Sequence, residues 1–186
     1  MLACIRRGED ERAVEIGEEG LRWWPGASGL YAARGLAREP GKGAEEDFAR
    51  SVDLGTSGYI PYYFLSLTAF RRGEFSKAVE WGKAALARVK PHEAGRARLL
   101  AWVAGCVEAA RGDPAVVERL YREAIEVDPH DKEIRSIFES FMRGPASLDQ
   151  PLGPSPDLLE EVILGPLGEL GGPRTNRLTR QILQPA

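Results

Sequence analysis

The sequence predicts an all-α protein: an α-solenoid of antiparallel helix pairs, laid side by side in chain order and closed by a C-terminal capping helix. Three observations predict it. A stripe of small or apolar residues at four-then-three spacing occurs four times: Ala13, Gly17 and Gly20; Ala44, Phe48 and Ser51; Ala78, Gly82 and Ala85; Val117, Tyr121 and Ala124. Residues so spaced share one helix face, and a face that small lets another helix approach closely. Glycine stands five residues ahead of three of the stripes, at Gly8, Gly73 and Gly112, where a left-handed residue ends one helix and turns the chain into the next. Finally, the segments that precede the last two stripes are apolar on a broad face, as first helices of such pairs must be.

Each element follows in order. Residues 1–27 supply one second helix, closed by Pro25, with only the stub MLACIRR in place of a full first helix. The stripe is then covered only in part by Ala3 and Ile5, so the chain is expected to be a piece of a longer one or to meet another subunit there. In residues 28–57, Tyr31 and Gly35 suit a first helix and AEEDFARSVDLG a second, but the turn REPGKG is short and no proline closes the unit. GYIPYYFLSLTAFRR, residues 58–72, stops at RRGEF and is followed by the stripe from Ala78 to Ala85, with Pro91 beyond. RARLLAWVAGCVEAAR, residues 96–111, stops at ARGDP; Pro114 falls where the first turn of a helix tolerates it, because that amide has no helical partner. The stripes begin at 13, 44, 78 and 117, and the last interval is lengthened by the loop VKPHEAG. After Pro129, DKEIRSIFESFMR sets Ile134, Ile137, Phe138, Phe141 and Met142 on one stripe. A stack leaves its final apolar face open, and this segment is read as the helix that caps it.

The repeat domain therefore spans residues 1–143, and residues 144–186 form a Pro/Gly-rich linker and tail holding seven of the thirteen prolines. Within the tail, Ser155 and Pro156 start a short amphipathic helix whose edge is Leu158, Leu159, Val162 and Ile163. So short a helix is marginal alone in water, and it is expected to contact the repeats of its own or a neighbouring molecule.

Composition narrows the function classes. A chain of 186 residues could bury roughly 70% of its unfolded surface, and 43% hydrophobic with 28% charged residues is ordinary for a globular protein. With 25 basic and 28 acidic residues, no strong field draws it to nucleic acid or an anionic surface. Charged residues interrupt every apolar run, so no membrane span is expected, and charges occupy the place of a signal's apolar block; the chain is read as cytoplasmic. Cys4 and Cys106 are isolated, which fits two buried thiols and neither a disulfide framework nor a metal site.

These features resemble the tetratricopeptide repeat family, whose unit of about 34 residues pairs two antiparallel helices and carries small, aromatic, small and proline positions in the second. The match is best in residues 98–131, with Gly105 at the small first-helix position, Gly112 at the turn and YREAIEVDP in the second helix; residues 59–92 come next. The resemblance covers residues 1 to 143 and implies a right-handed superhelix. It also implies a concave groove, lined by first helices, that holds a peptide or a partner helix. Carried onto this chain, the groove positions are Tyr63, Leu67, Phe70 and Arg71 in one unit and Trp102, Cys106 and Ala109 in the other. Family members that clamp a terminal carboxylate use Lys and Asn at several of these positions, and this chain has neither there. The surface implied is aromatic and apolar with an arginine at one end, with Tyr63 and Trp102 as anchors.

No motif for catalysis competes. Gly41 and Lys42 imitate the end of a phosphate-binding loop, but Leu36 and Gly43 stand where glycine and a hydroxyl residue are needed. Ser28 lacks the second glycine of a nucleophile elbow, Leu30 standing in its place. His92 and His130 each follow a proline in a loop, with no nucleophile placed beside them. An RNA reader using Tyr63, Leu67, Trp102 and Cys106 would need a basic stripe that the chain lacks. The sequence thus predicts a non-catalytic binding module or assembly adaptor with no cofactor and no metal. Its partner would be another protein, and self-association through the tail or the first unit is the second route. The alternative is a regulatory or accessory subunit of an enzyme completed in trans; an enclosed pocket with converging titratable groups would favour it, and an open groove would favour the adaptor.

Overall fold

The computed structural model describes residues 1–38, 41–91 and 95–144. Among them every regular element is a helix: α1 (Leu2–Arg7), α2 (Asp10–Trp23), α3 (Ser28–Ala37), α4 (Lys42–Asp53), α5 (Ile60–Arg71), α6 (Phe75–Leu86), α7 (Arg96–Ala109), α8 (Pro114–Val127) and α9 (Lys132–Arg143). None is long and apolar enough to cross a membrane. The tail, with Leu158, Leu159, Val162 and Ile163, lies outside the described residues.

The turns show why the chain reverses where it does. Gly8 ends α1 at φ 70° and Gly73 follows α5 at φ 73°, both left-handed. In each case two amides reach back to orphan carbonyls: Gly73 N–H to Phe70 O and Glu74 N–H to Ala69 O, both at 2.9 Å. The same pair of bonds closes α7, from Arg111 N–H to Glu108 O and Gly112 N–H to Val107 O. Here the left-handed residue is Arg111, at φ 54°, and not the glycine that the sequence spacing singles out. Gly112 has another cause: a methyl group there would lie 2.7 Å from Val107 Cγ1 and 3.1 Å from Val107 O. After the turn, Asp113 caps α8 by accepting from Ala115 N–H at 2.9 Å, and Pro114 opens the helix.

Extensive contacts run between helices adjacent in sequence, from α1 on α2 to α8 on α9, with α1 also touching α3. Contacts within the pairs run in opposite order along the two helices, so the members are antiparallel. Between α5 and α6, Phe70 meets Phe75 at 5.2 Å, Ser66 Oγ donates to Ala78 O at 2.6 Å, and Tyr62 meets Trp81 at 6.1 Å. Between α3 and α4, Arg38 donates to Gly43 O at 3.2 Å, Arg34 forks onto Asp47, and Ser51 Oγ donates to Ser28 O at 2.9 Å. The step from α4 to α5 is built the same way, with Phe48 stacked on Phe64 at 4.6 Å and Arg72 paired with Glu45 at 2.6 Å.

Small residues at the helix contacts, on the stripes and on the first helices facing them, make these approaches possible. A methyl group on Gly35 would stand 2.9 Å from Phe48 Cε1, and one on Gly82 would stand 3.0 Å from Val103 Cγ2. Gly105 differs, because a methyl there would meet only Tyr121 Oη at 3.8 Å. The core is one apolar cluster running from Leu36 to Ile134, with a smaller one of Cys4, Ala13 and Ala37 near the first pair. At the far end α9 buries Ile134 fully, half-buries Ile137, Phe138 and Phe141, and leaves Met142 exposed.

Candidate functional site

The residues that the family resemblance assigns to the groove come together on α5 and α7. These two helices are apolar nearly all round, the pattern of helices covered on most sides, and their interior residues are buried almost without interruption. Tyr63 is 1% exposed, Leu67 3%, Trp102 5% and Cys106 0%. Phe70 is half-buried, Arg71 is exposed, and Ala109 is half-buried.

What joins them is an aromatic and polar seam between the two first helices. The Tyr63 ring meets Trp102 edge-on at 5.8 Å, and Phe70 meets the same indole at 5.2 Å. Trp102 Nε1–H donates to Ser66 Oγ at 2.9 Å, and the Ser66 hydroxyl in turn donates to Ala78 O, so a fully buried hydroxyl is satisfied on both sides. Each edge-on or tilted ring pair adds about 0.5–1.5 kcal/mol beyond the area it buries. Desolvation raises the Tyr63 phenol above its ordinary range, and burial pushes the Cys106 thiol up to about 12, opposed in part by a hydrogen bond with Ser66. A thiol so protonated at neutral pH is a small core residue and a poor nucleophile.

The seam therefore splits the predicted positions by depth. Tyr63, Leu67, Trp102 and Cys106 form its interior, where they hold α5 against α7; Phe70, Arg71 and Ala109 stand at the C-terminal ends of the two helices and reach solvent. Sequence spacing places all seven on first helices but, in helices apolar on every side, carries no signal for which face meets water.

Charged networks that sequence reading did not identify fix the neighbouring helices. Arg34 holds Asp47 through Nε at 2.9 Å and Nη2 at 2.6 Å, and Arg38 Nη1 lies 3.1 Å from the same carboxylate. The Asp47 side chain is 4% exposed, so two cations answer one buried anion. The hydrogen bonds that Arg34 donates to Asp47 hold its guanidinium above its ordinary value. Arg98 on α7 pairs at 3.0 Å with Asp131, which also caps α9 by accepting from Glu133 and Ile134 amides. Arg88 lies over the Tyr62 ring at 3.7 Å, and Arg96 pairs with Glu123 at 3.1 Å.

Of the two histidines, His130 is exposed and His92 lies outside the described residues. Among the described residues no group of three or more His, Cys, Asp or Glu side chains is placed to hold a metal ion. Comparison with protein-family models and with curated proteins finds no match to this chain.

Proposed function

We propose that this protein is a non-catalytic interaction module or assembly adaptor, built as a tetratricopeptide-like α-solenoid, that holds a peptide or an amphipathic partner helix against α5 and α7. The observation that carries the reading is the order of packing: each helix lies on the next in sequence, in antiparallel pairs, with small residues at the close approaches. A row of pairs sharing one continuous core is the architecture that presents an extended binding face and no enclosed pocket. Tyr63, Leu67, Trp102 and Cys106 give that face its rigid floor, and Phe70 and Arg71 at its open end meet the partner.

The test uses the full chain as bait for affinity capture, followed by mass spectrometry, with Phe70→Ser and Arg71→Glu as comparison baits. Arg71 is exposed, so Arg71→Glu should leave circular dichroism and melting temperature close to those of the wild type; Phe70→Ser gives up ring contacts with Phe75 and Trp102, so its melting temperature should fall by several degrees while the helical signal is kept. The reading predicts a captured protein that binds directly once purified and is lost, at least about tenfold in affinity, with either variant. Capture unchanged by both would place the binding face elsewhere.

A further inference from the structure

Trp23 and Trp24, adjacent at the end of α2, are 73% and 65% exposed, the largest apolar side chains that the described residues leave in water. They stand in an ordered turn: Trp24 N–H donates to Gly20 O at 2.9 Å and Ala27 N–H to Trp24 O at 3.1 Å. Two neighbouring indoles held open in this way need an occupant, since exposed aromatic patches mark interaction sites and tryptophan is the commonest anchor of such sites.

Charge identifies the occupant. Arg12, Glu15 and Glu19 are exposed at three- and four-residue spacing, and exposed Arg22 and Trp23 follow Glu19 by three and four residues, so the five form one outer stripe of α2. Arg12 is already paired with Glu15 at 2.8 Å, whereas Glu19 and Arg22 make no ion pair or hydrogen bond among the described residues. A stripe that ends in one acid and one base is complementary to itself when reversed. Two α2 helices laid antiparallel about a two-fold axis between Glu19 and Arg22 would set each Glu19 against the second copy's Arg22, with the indole pairs outside both ion pairs. Alternating signs favour no anionic surface.

Area agrees. A tryptophan buries at most about 250 Å², so at these exposures the indole pair offers roughly 300 Å² per copy, and a two-fold contact covers that twice. More than half of the ~1,000 Å² that a specific interface needs would come from four indoles. We propose that this face of α2 binds a second copy of the chain, forming an isologous dimer through Trp23, Trp24, Glu19 and Arg22.

Sedimentation velocity of the full chain between about 1 and 100 µM tests it, in the range where interfaces of this size begin to associate. The proposal predicts a concentration-dependent dimer whose dissociation constant rises at least about 30-fold in Trp23→Ala/Trp24→Ala. Glu19→Arg and Arg22→Glu should each weaken the dimer, and the two together in one chain should restore it, a rescue that damage to the fold would not give. A monomer throughout that range, or a dimer indifferent to the tryptophans, would overturn it, as would a double charge swap no better than either single one. None of these outcomes depends on capture of another protein by α5 and α7.

Discussion

At the scale of the residue, Glu108 of α7 is a carboxyl whose ionisation works against the fold. It is half-buried, makes no ion pair or hydrogen bond among the described residues, and lies near enough to Tyr121 to raise that phenol further. Desolvation holds its carboxyl above the usual carboxylate range. An acid whose folded pKa exceeds its unfolded one contributes stability at low pH, and that contribution is lost as pH rises through the interval between the two values. Glu108→Gln should therefore match the wild type in stability below the ordinary carboxylate range and exceed it at pH 7, which urea titrations at the two pH values would read directly. Arg111 is the other strained residue, because a side chain in the left-handed region costs on the order of 1 kcal/mol that glycine does not. Arg111→Gly is expected to raise the stability by about 0.5–1 kcal/mol in the same assay, after the greater unfolded-state freedom of glycine is allowed for. Neither residue is conspicuous in the sequence. Spacing points to Gly112 for the turn, yet the chain reverses one position earlier and uses that glycine for its closeness to Val107.

At the scale of the element, the small residues of the first helices make claims that can be separated. Gly35 and Gly105 both sit inside first helices, where alanine is favoured over glycine by about 0.5–1 kcal/mol. The Phe48 ring, stacked on Phe64, leaves no space at Gly35, whereas Gly105 has room. Gly105→Ala should then stabilise the protein by roughly 0.5 kcal/mol or more, while Gly35→Ala should destabilise it by about 1–3 kcal/mol, as overpacking does. The cap helix rests on Asp131, whose side chain answers two amides of α9 and the Arg98 guanidinium together. Replacing it by alanine removes a cap and a buried charge partner, so a loss of about 2 kcal/mol or more is expected, with faster amide exchange concentrated in α9. Much of this level was legible beforehand. The apolar run 58–72 became α5 (Ile60–Arg71), the run 96–111 became α7 (Arg96–Ala109), and the segment after Pro129 became α9 (Lys132–Arg143), because periodicity and turn chemistry act locally. Pairing of Arg34 and Arg38 with Asp47 was not legible, since it depends on how two helices cross, and the burial of Tyr63 and Trp102 was not, since a helix apolar on all sides does not say which side is covered last.

At the scale of the molecule, the proposed function depends on the helix pairs standing in a row, so that the first helices share one face while the second helices share another. A bundle wrapped around a single centre would use the same local signals, the same glycine turns and the same antiparallel pairs, but it would bring the first and last pairs together. Helix-packing steps of 8–10 Å separate the two arrangements by a wide margin, because α2 and α8 are three pairs apart in a row and close neighbours in a bundle. Glu15 and Arg119 hold equivalent exposed positions on those two helices, two residues past the first small position of each stripe. Spin labels carried by Glu15→Cys and Arg119→Cys would sit in a protein whose own two cysteines are buried. Electron–electron double resonance on that labelled chain is the most direct measurement: the row predicts a separation of roughly 25–30 Å or more between the helices, and a distribution centred below ~15 Å, one or two packing steps, would contradict it.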